Sequence, residues 1–168
     1  MKALFVGRFQ PFHNGHLKII KGLCNDFDKI IIGIGSSQYN NTLENPFTDK
    51  ERKEMIERAL LENGIVNFKI ILIPDIHNPP KWVEHVVSIE PNFDAVIANN
   101  QLTKQLFFEK GYRIIETPFF DRDNLSGKEI RKRIIENKNW QELVPSAVVR
   151  TIANINGVKR LQKIAKNN

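Results

Sequence analysis

The stretch Ala3-Leu4-Phe5-Val6-Gly7-Arg8-Phe9-Gln10-Pro11-Phe12-His13-Asn14-Gly15-His16 decides how the rest of the chain is read. Ala3 to Val6 is a short apolar run of strand length that breaks at Gly7, and from Gly15 the spacing turns helical. A buried strand that stops at a glycine and hands over to a helix start carrying two histidines three residues apart is a device for holding phosphates. Gly15 lets an anion approach the backbone, and the imidazoles of His13 and His16 add N–H donors to the helix dipole. A metal pair is the competing reading of the histidines. It lacks a nearby Cys, Asp or Glu at ligand spacing. Arg8, set between Gly7 and Phe9, carries a charge that would be costly there unless an anion neutralises it; the plainer reading is a surface arginine with its stem packed on Phe9.

Outward from this stretch, apolar runs alternate with helical periods, the pattern of an α/β protein with a doubly wound parallel sheet of about five strands. The strands are expected at Ala3 to Val6, Lys29 to Ile34, Phe68 to Ile73, Asp94 to Ala98 and Tyr112 to Glu116, all rich in the Ile, Val and Phe of strands buried on both faces. Helices are expected over Gly15 to Asn25, Thr48 to about Gly64, from Pro80 onward, and over Gln101 to Lys110. Thr48-Asp49-Lys50-Glu51 reads as a capping box. From Ser126 to the end the pattern is helical, broken at Pro145 and Gly157. A single domain spanning 1–168 is expected, with a core over 1–125 and a helical part over 126–168.

Two long polar connections, Gly35 to Phe47 and Pro118 to Leu125, follow strands and read as binding loops. In such a sheet the ligand crevice lies beyond the carboxyl ends of the strands, where His13, His16, both loops and the Ser126 helix start would converge. Ser126-Gly127-Lys128-Glu129 has the form of a second capping box, and Lys128, Arg131 and Arg133 on its first turns add charge suited to a triphosphate. Trp82, after Asn78-Pro79-Pro80, is either core in line with Val86 and Ile89 or a platform for a flat heterocycle.

The bulk properties fit this reading. The 168 residues are 41% hydrophobic with a net charge of +6, and the sequence pI is about 9.5, so the surface favours anions. No apolar run reaches the roughly 18 residues of a membrane span and no secretory leader is evident, so a cytoplasmic protein without membrane association is expected. The one cysteine, Cys24, reads as a small core residue at helical spacing with Ile20, Leu23 and Phe27. The basic residues at 128–138 and 159–166 leave open a non-catalytic module that binds nucleotide or nucleic acid.

Gly7 to His16 closely resembles the first motif of HxGH nucleotidyltransferases, in the form carried by nicotinamide mononucleotide adenylyltransferases, and Leu125 to Arg131 is similar to the second motif of that superfamily. Asn45-Pro46-Phe47-Thr48, Glu51-Arg52 and the Asp75 to Trp82 stretch look most like the archaeal branch. The resemblance covers nearly the whole chain and implies a Rossmann-like fold. It also implies transfer of AMP from ATP to nicotinamide mononucleotide, giving NAD and pyrophosphate with Mg²⁺ or a similar divalent cation, no nucleic acid partner, and a homo-oligomer, with a hexamer as one form. By the same resemblance His13, His16, Arg8 and Arg131 are the catalytic residues. Gly7, Phe9, Gly15, Ser126, Gly127 and Lys128 meet ATP, while Trp82 and Asn78 take the nicotinamide. Lys128 stands where the second motif has threonine, and Glu44 where some relatives have arginine. Another HxGH enzyme, such as a pantetheine-phosphate adenylyltransferase or an FAD synthetase, is the nearest alternative, and the Arg-Phe-Gln-Pro lead argues against it.

Overall fold

The computed structural model of the chain describes residues 1–98, 100–118 and 123–168. Five parallel strands form one sheet: β1 (Lys2–Gly7), β2 (Lys29–Gly35), β3 (Phe68–Ile73), β4 (Ala95–Ile97) and β5 (Arg113–Ile115), in the order β3-β2-β1-β4-β5. The register pairs Phe5 with Ile32 on one side and Ile97 on the other. The connections are α1 (Asn14–Leu23), α2 (Asp49–Glu62), α3 (Pro79–Ile89) and α4 (Gln101–Glu109); α5 (Gly127–Ile135), α6 (Ser146–Asn154) and α7 (Gly157–Lys166) complete the chain.

Side chains alternate across each strand, so the sheet feeds two cores. Ala3, Phe5, Ile30, Ile32 and Ile97 face α1, α2 and the three C-terminal helices, where Ile20, Met55, Ile56, Ile130 and Val148 close the layer. Leu4, Ile31, Ile71, Ile73 and Val96 face α3 and α4, against Val83, Val86 and Phe107. Both faces are therefore covered, as a doubly wound sheet requires. The inner strands are the more deeply buried, β4 throughout and β1 and β2 through their middle. β3 and β5 are edges, with Lys69, Leu72 and Arg113 exposed, because an apolar run does not say which strand lacks a neighbour. Cys24 is likewise half-buried rather than internal, at the C-cap of α1. No helix among the described residues is long and apolar enough to cross a membrane.

The Thr48 capping box forms as the spacing predicts. Thr48 Oγ1 accepts from Glu51 N–H at 3.1 Å, and Glu51 Oε1 accepts from Thr48 N–H at 2.8 Å. Arg160 on α7 then grips the same carboxylate with two N–H groups, at 2.6 and 2.8 Å, and donates to Pro46 O at 3.1 Å. One acid thus closes a helix start and ties the C-terminal helix to the loop before it. A Thr48→Ala variant is expected to lose about 1 kcal/mol, read as a lower urea midpoint with unchanged slope.

Candidate active site

The reversal in strand order falls between β1 and β4, and there the carboxyl ends of the two strands open into a cleft of about 320 Å³. Three helices begin at this cleft: α1 capped by His13, α4 by Asn100 and α5 by Ser126. Their positive ends make the cleft a place for anions. His13, Gly15, His16, Ser126 and Gly127 all line it, as the sequence anticipates, and so do Thr103 and Thr117, which sequence reading passed over.

The two histidines are fixed by the backbone. His13 Nδ1 accepts from Gly15 N–H and His16 Nδ1 accepts from His13 N–H, each at 3.1 Å, a capping box made of imidazoles. Because both Nδ1 atoms accept, the ring proton of each neutral imidazole sits on Nε2, leaving that N–H as the donor for a ligand. The rings stack with centroids 3.6 Å apart, and His16 is boxed by Phe12, Phe9 and Phe5. Gly15 proves necessary for a reason other than ligand approach: a Cβ there would lie 2.9 Å from the His13 ring.

Burial pushes His13 down to about 4. Burial, and then the neighbouring His13, hold His16 well below the ordinary imidazole value. Both rings are therefore neutral donors at neutral pH. An unfolded imidazole titrates near 6.5, so stability is complete above that pH. As pH falls from 6.5 to about 4, the unfolded chain binds protons that the folded chain refuses, and stability is lost, by about 3 kcal/mol for His13 alone. Urea midpoints taken between about pH 7 and pH 4.5 are expected to fall steadily, and constant midpoints would contradict this assignment.

Several sequence expectations need correcting. Arg8 is exposed rather than desolvated, so burial gives it no need of a counter-ion. It lines a neighbouring cleft of about 570 Å³ with Glu44, Asp75 and His77, where the 35–47 loop comes in. Neither Gly7 nor Phe9 lines a described cleft. Phe9 is 2% exposed, at a left-handed φ of 53°, and its ring covers Gly7 and backs His16. Lys128 is exposed and outside the cleft lining. Ser126 caps Glu129 N–H at 3.1 Å, but Glu129 does not answer it; its carboxylate accepts instead from Arg133 Nε at 3.2 Å. Arg133 also donates to Asn139 O and Asn124 Oδ1, so its charge is engaged away from the cleft. Of the 118–125 loop, residues 119–122 lie outside the described residues.

Arg131 and Gln10 join the two motifs. Arg131 donates to Gln10 O at 2.8 Å, passing so close to Gly127 that a Cβ there would lie 2.8 Å from the guanidinium. The buried Gln10 side chain holds Phe47 by both backbone groups, at 2.9 and 3.0 Å. Burial, then the charge of Arg8, bring Arg131 down to about 10, with Glu44 opposing. Two cations and one acid thus face each other at the junction of the clefts. Arg52 underlies that junction. It is fully buried and donates to the carbonyls of Arg8, Gly35, Ser36, Ser37, Tyr39 and Thr48. Sequence reading gave it no such role, although its helical spacing with Met55, Ile56 and Ala59 already places it on the buried face.

Trp82 divides the two readings of it. Half-buried, it meets Phe107 edge-to-face at 5.6 Å, while its outer part lines a small cleft of about 190 Å³ with Asn78, Asp75, His77 and Thr103. Thr103 also lines the central cleft, and Asp75 and His77 also line the Arg8 cleft. One crevice therefore runs over the strand ends.

A family model described as cytidylyltransferase-like matches residues 4–133, which hold both motifs. The chain belongs to that family. Within it, the chain is 50% identical over 167 residues to the nicotinamide-nucleotide adenylyltransferase of Thermococcus sibiricus, covering 98% of this chain and 90% of the relative. It is 46% identical to the enzyme of the same name from Picrophilus torridus, over 99% of each chain. Its fold is also that of a bifunctional NMN adenylyltransferase/ADP ribose pyrophosphatase from Francisella tularensis, crystallised with AMP and a manganese ion, at a TM-score of 0.79 and 24% identity. That match covers 99% of this chain, which spans about half the length of the Francisella protein. This cytidylyltransferase-like chain carries the motifs of the family where the sheet order reverses, as its fold demands.

Proposed function

We propose that the chain transfers AMP from ATP to nicotinamide mononucleotide, giving NAD and pyrophosphate. The observation that carries this reading is the pair of neutral Nε2–H donors held at a helix start in the cleft between β1 and β4. ATP would lie there with its phosphates against His13, His16, Ser126 and Gly127, and the acceptor would place its ring on Trp82 beside Asn78. Its phosphate would then face Arg8 and Arg131.

In the reaction a phosphate oxygen of the acceptor forms a bond to the α-phosphorus of ATP, and the bond to the bridging oxygen breaks, its electron pair leaving with pyrophosphate. The attacking phosphate is already ionised near pH 7, so no residue need remove a proton. What the chain supplies is in-line placement and donors where negative charge gathers. Neutral imidazoles suit this role: they donate without holding the product as a fixed charge would. The cation of the reading, Mg²⁺, comes with ATP. Among the described residues no group of three His, Cys, Asp or Glu could cage it, which suits an ion held chiefly by phosphate oxygens and water. When bound, it neutralises part of the phosphate charge.

The test is pyrophosphate release from ATP and Mg²⁺ with nicotinamide mononucleotide, beside phosphopantetheine and flavin mononucleotide as acceptors. NAD formation is expected with the first alone. ATP binding without product from any acceptor would overturn the assignment in favour of a non-catalytic nucleotide module.

A further inference from the structure

Gln10 is a polar side chain that the mechanism does not use. It is 3% exposed and lines none of the clefts described above. Its amide turns both donor and acceptor on Phe47, giving Nε2–H to Phe47 O at 2.9 Å and taking Phe47 N–H on Oε1 at 3.0 Å. A neighbouring strand would pair in the same way; here one neutral group carries the donor and the acceptor side by side. The main-chain carbonyl of the same residue accepts from Arg131 Nη1 at 2.8 Å.

Ahead of Phe47 the chain makes a tight turn. Asn41 N–H donates to Pro46 O at 3.3 Å, Thr42 N–H to Asn45 O at 3.2 Å and Asn45 N–H to Thr42 Oγ1 at 3.0 Å. Bonded to itself in this way, the turn is placed as a unit once Phe47 is placed, and Thr42, Glu44 and Asn45 wall the Arg8 cleft. The helix α7 secures the same anchor: Arg160 donates to Pro46 O at 3.1 Å, and a Cβ on Gly157 would lie 3.0 Å from the Phe47 ring. Arg131 leans on the Gln10 carbonyl from the other motif, its guanidinium filling the space that a Cβ on Gly127 would need.

We infer that Gln10 is a positioning residue for the phosphate of the acceptor: its amide fixes its own backbone to the 41–46 turn, so the carbonyl that aims Arg131 stands at a set distance from the wall of the Arg8 cleft. The inference rests on the placement of that phosphate against Arg8 and Arg131 proposed above. A guanidinium gains most from an anion that it meets in plane, through two parallel N–H bonds. A fork already aimed by a carbonyl and backed by a glycine gives up little freedom when the anion arrives, whereas a loose arginine gives up much. Glu44 sharpens the need for a fixed spacing. It is the acid that opposes Arg8 at Arg131, so a turn that drifts towards the guanidinium brings a carboxylate to where the phosphate belongs.

The experiment measures, by calorimetry, the binding of nicotinamide mononucleotide and of nicotinamide riboside, the same molecule without its phosphate, to the wild type, Q10M, R131A and Q10M/R131A. Methionine keeps the length of glutamine and removes both side-chain bonds without adding a charge. The ratio of the two affinities isolates the phosphate, and the wild type is expected to favour the mononucleotide by about 10²-fold. R131A is expected to narrow that ratio by about 10-fold and Q10M by about 5-fold, while Q10M adds less than about 2-fold on the R131A background. A merely structural role would weaken both ligands alike and leave the ratio unchanged. R160M, which loosens the same anchor from α7, carries the test if Q10M does not fold, with an expected narrowing of about 2-fold. An unchanged ratio in the folded variants, or a Q10M effect that multiplies in full with R131A, overturns the inference while leaving the proposed reaction intact. Coupled ratios in a protein that forms no NAD would do the reverse. Binding of neither ligand would sink both.

Discussion

A His16→Ala variant is expected to form NAD about 10³-fold more slowly, because removing one aligned donor from a charge-stabilising cleft costs about 3 to 4 kcal/mol of barrier. Two losses combine here. The Nε2–H donor disappears, and so do the Nδ1 acceptor that holds His13 N–H and the ring stacked on the second imidazole, which then keeps only its bond from Gly15 N–H. The defect should appear in kcat, with the KM for ATP changed by a few-fold at most, since three helix starts still open on the cleft. Single-turnover kinetics on a variant with a wild-type thermal transition makes the measurement. A rate within about 10-fold of wild type would move the stabilisation of charge away from this pair.

Arg52→Met is expected to destabilise the fold by about 3 to 5 kcal/mol. The methionine fills part of the volume but takes the guanidinium donors from six carbonyl oxygens in or beside the turns that follow β1 and β2; those of Ser36 and Thr48 keep a backbone donor, from Tyr39 N–H at 3.1 Å and residue 52 N–H at 3.0 Å. In a chain of this length that loss lowers the melting temperature by about 8 to 15 °C. Arg52→Lys should recover only a small part, because an ammonium cannot present the planar fork of five N–H groups. Calorimetry of the two variants tests the ranking; equal, mild losses would mean that water can replace the guanidinium.

These two residues show where the sequence was readable. The histidine pair was legible because its chemistry is local: a strand end, a glycine and a helix start within fourteen residues. The sheet was legible for the same reason, each strand being marked by its own apolar run and two of the helices by a capping residue, at Thr48 and Ser126. Arg52 was not, since its partners come from three separated segments and only the folded turn brings their carbonyls together. Arg8 was misjudged from its apolar neighbours in sequence, which point away from it in space. Ser126 and Glu129 have capping-box spacing, yet the Glu129 carboxylate had a better partner in Arg133 one turn on. Spacing predicts what a side chain can reach, and competition among partners decides what it takes.

The bond from Arg131 to Gln10 closes a loop of 121 residues. The histidine segment leaves the ribosome more than a hundred residues before the residues that complete its cleft. Closing so long a loop is slow and entropically opposed until the intervening sheet exists. A nascent chain halted before Ser126 would therefore carry the whole first motif and bind no nucleotide, and nucleotide capture during refolding would report the last event of assembly rather than the first.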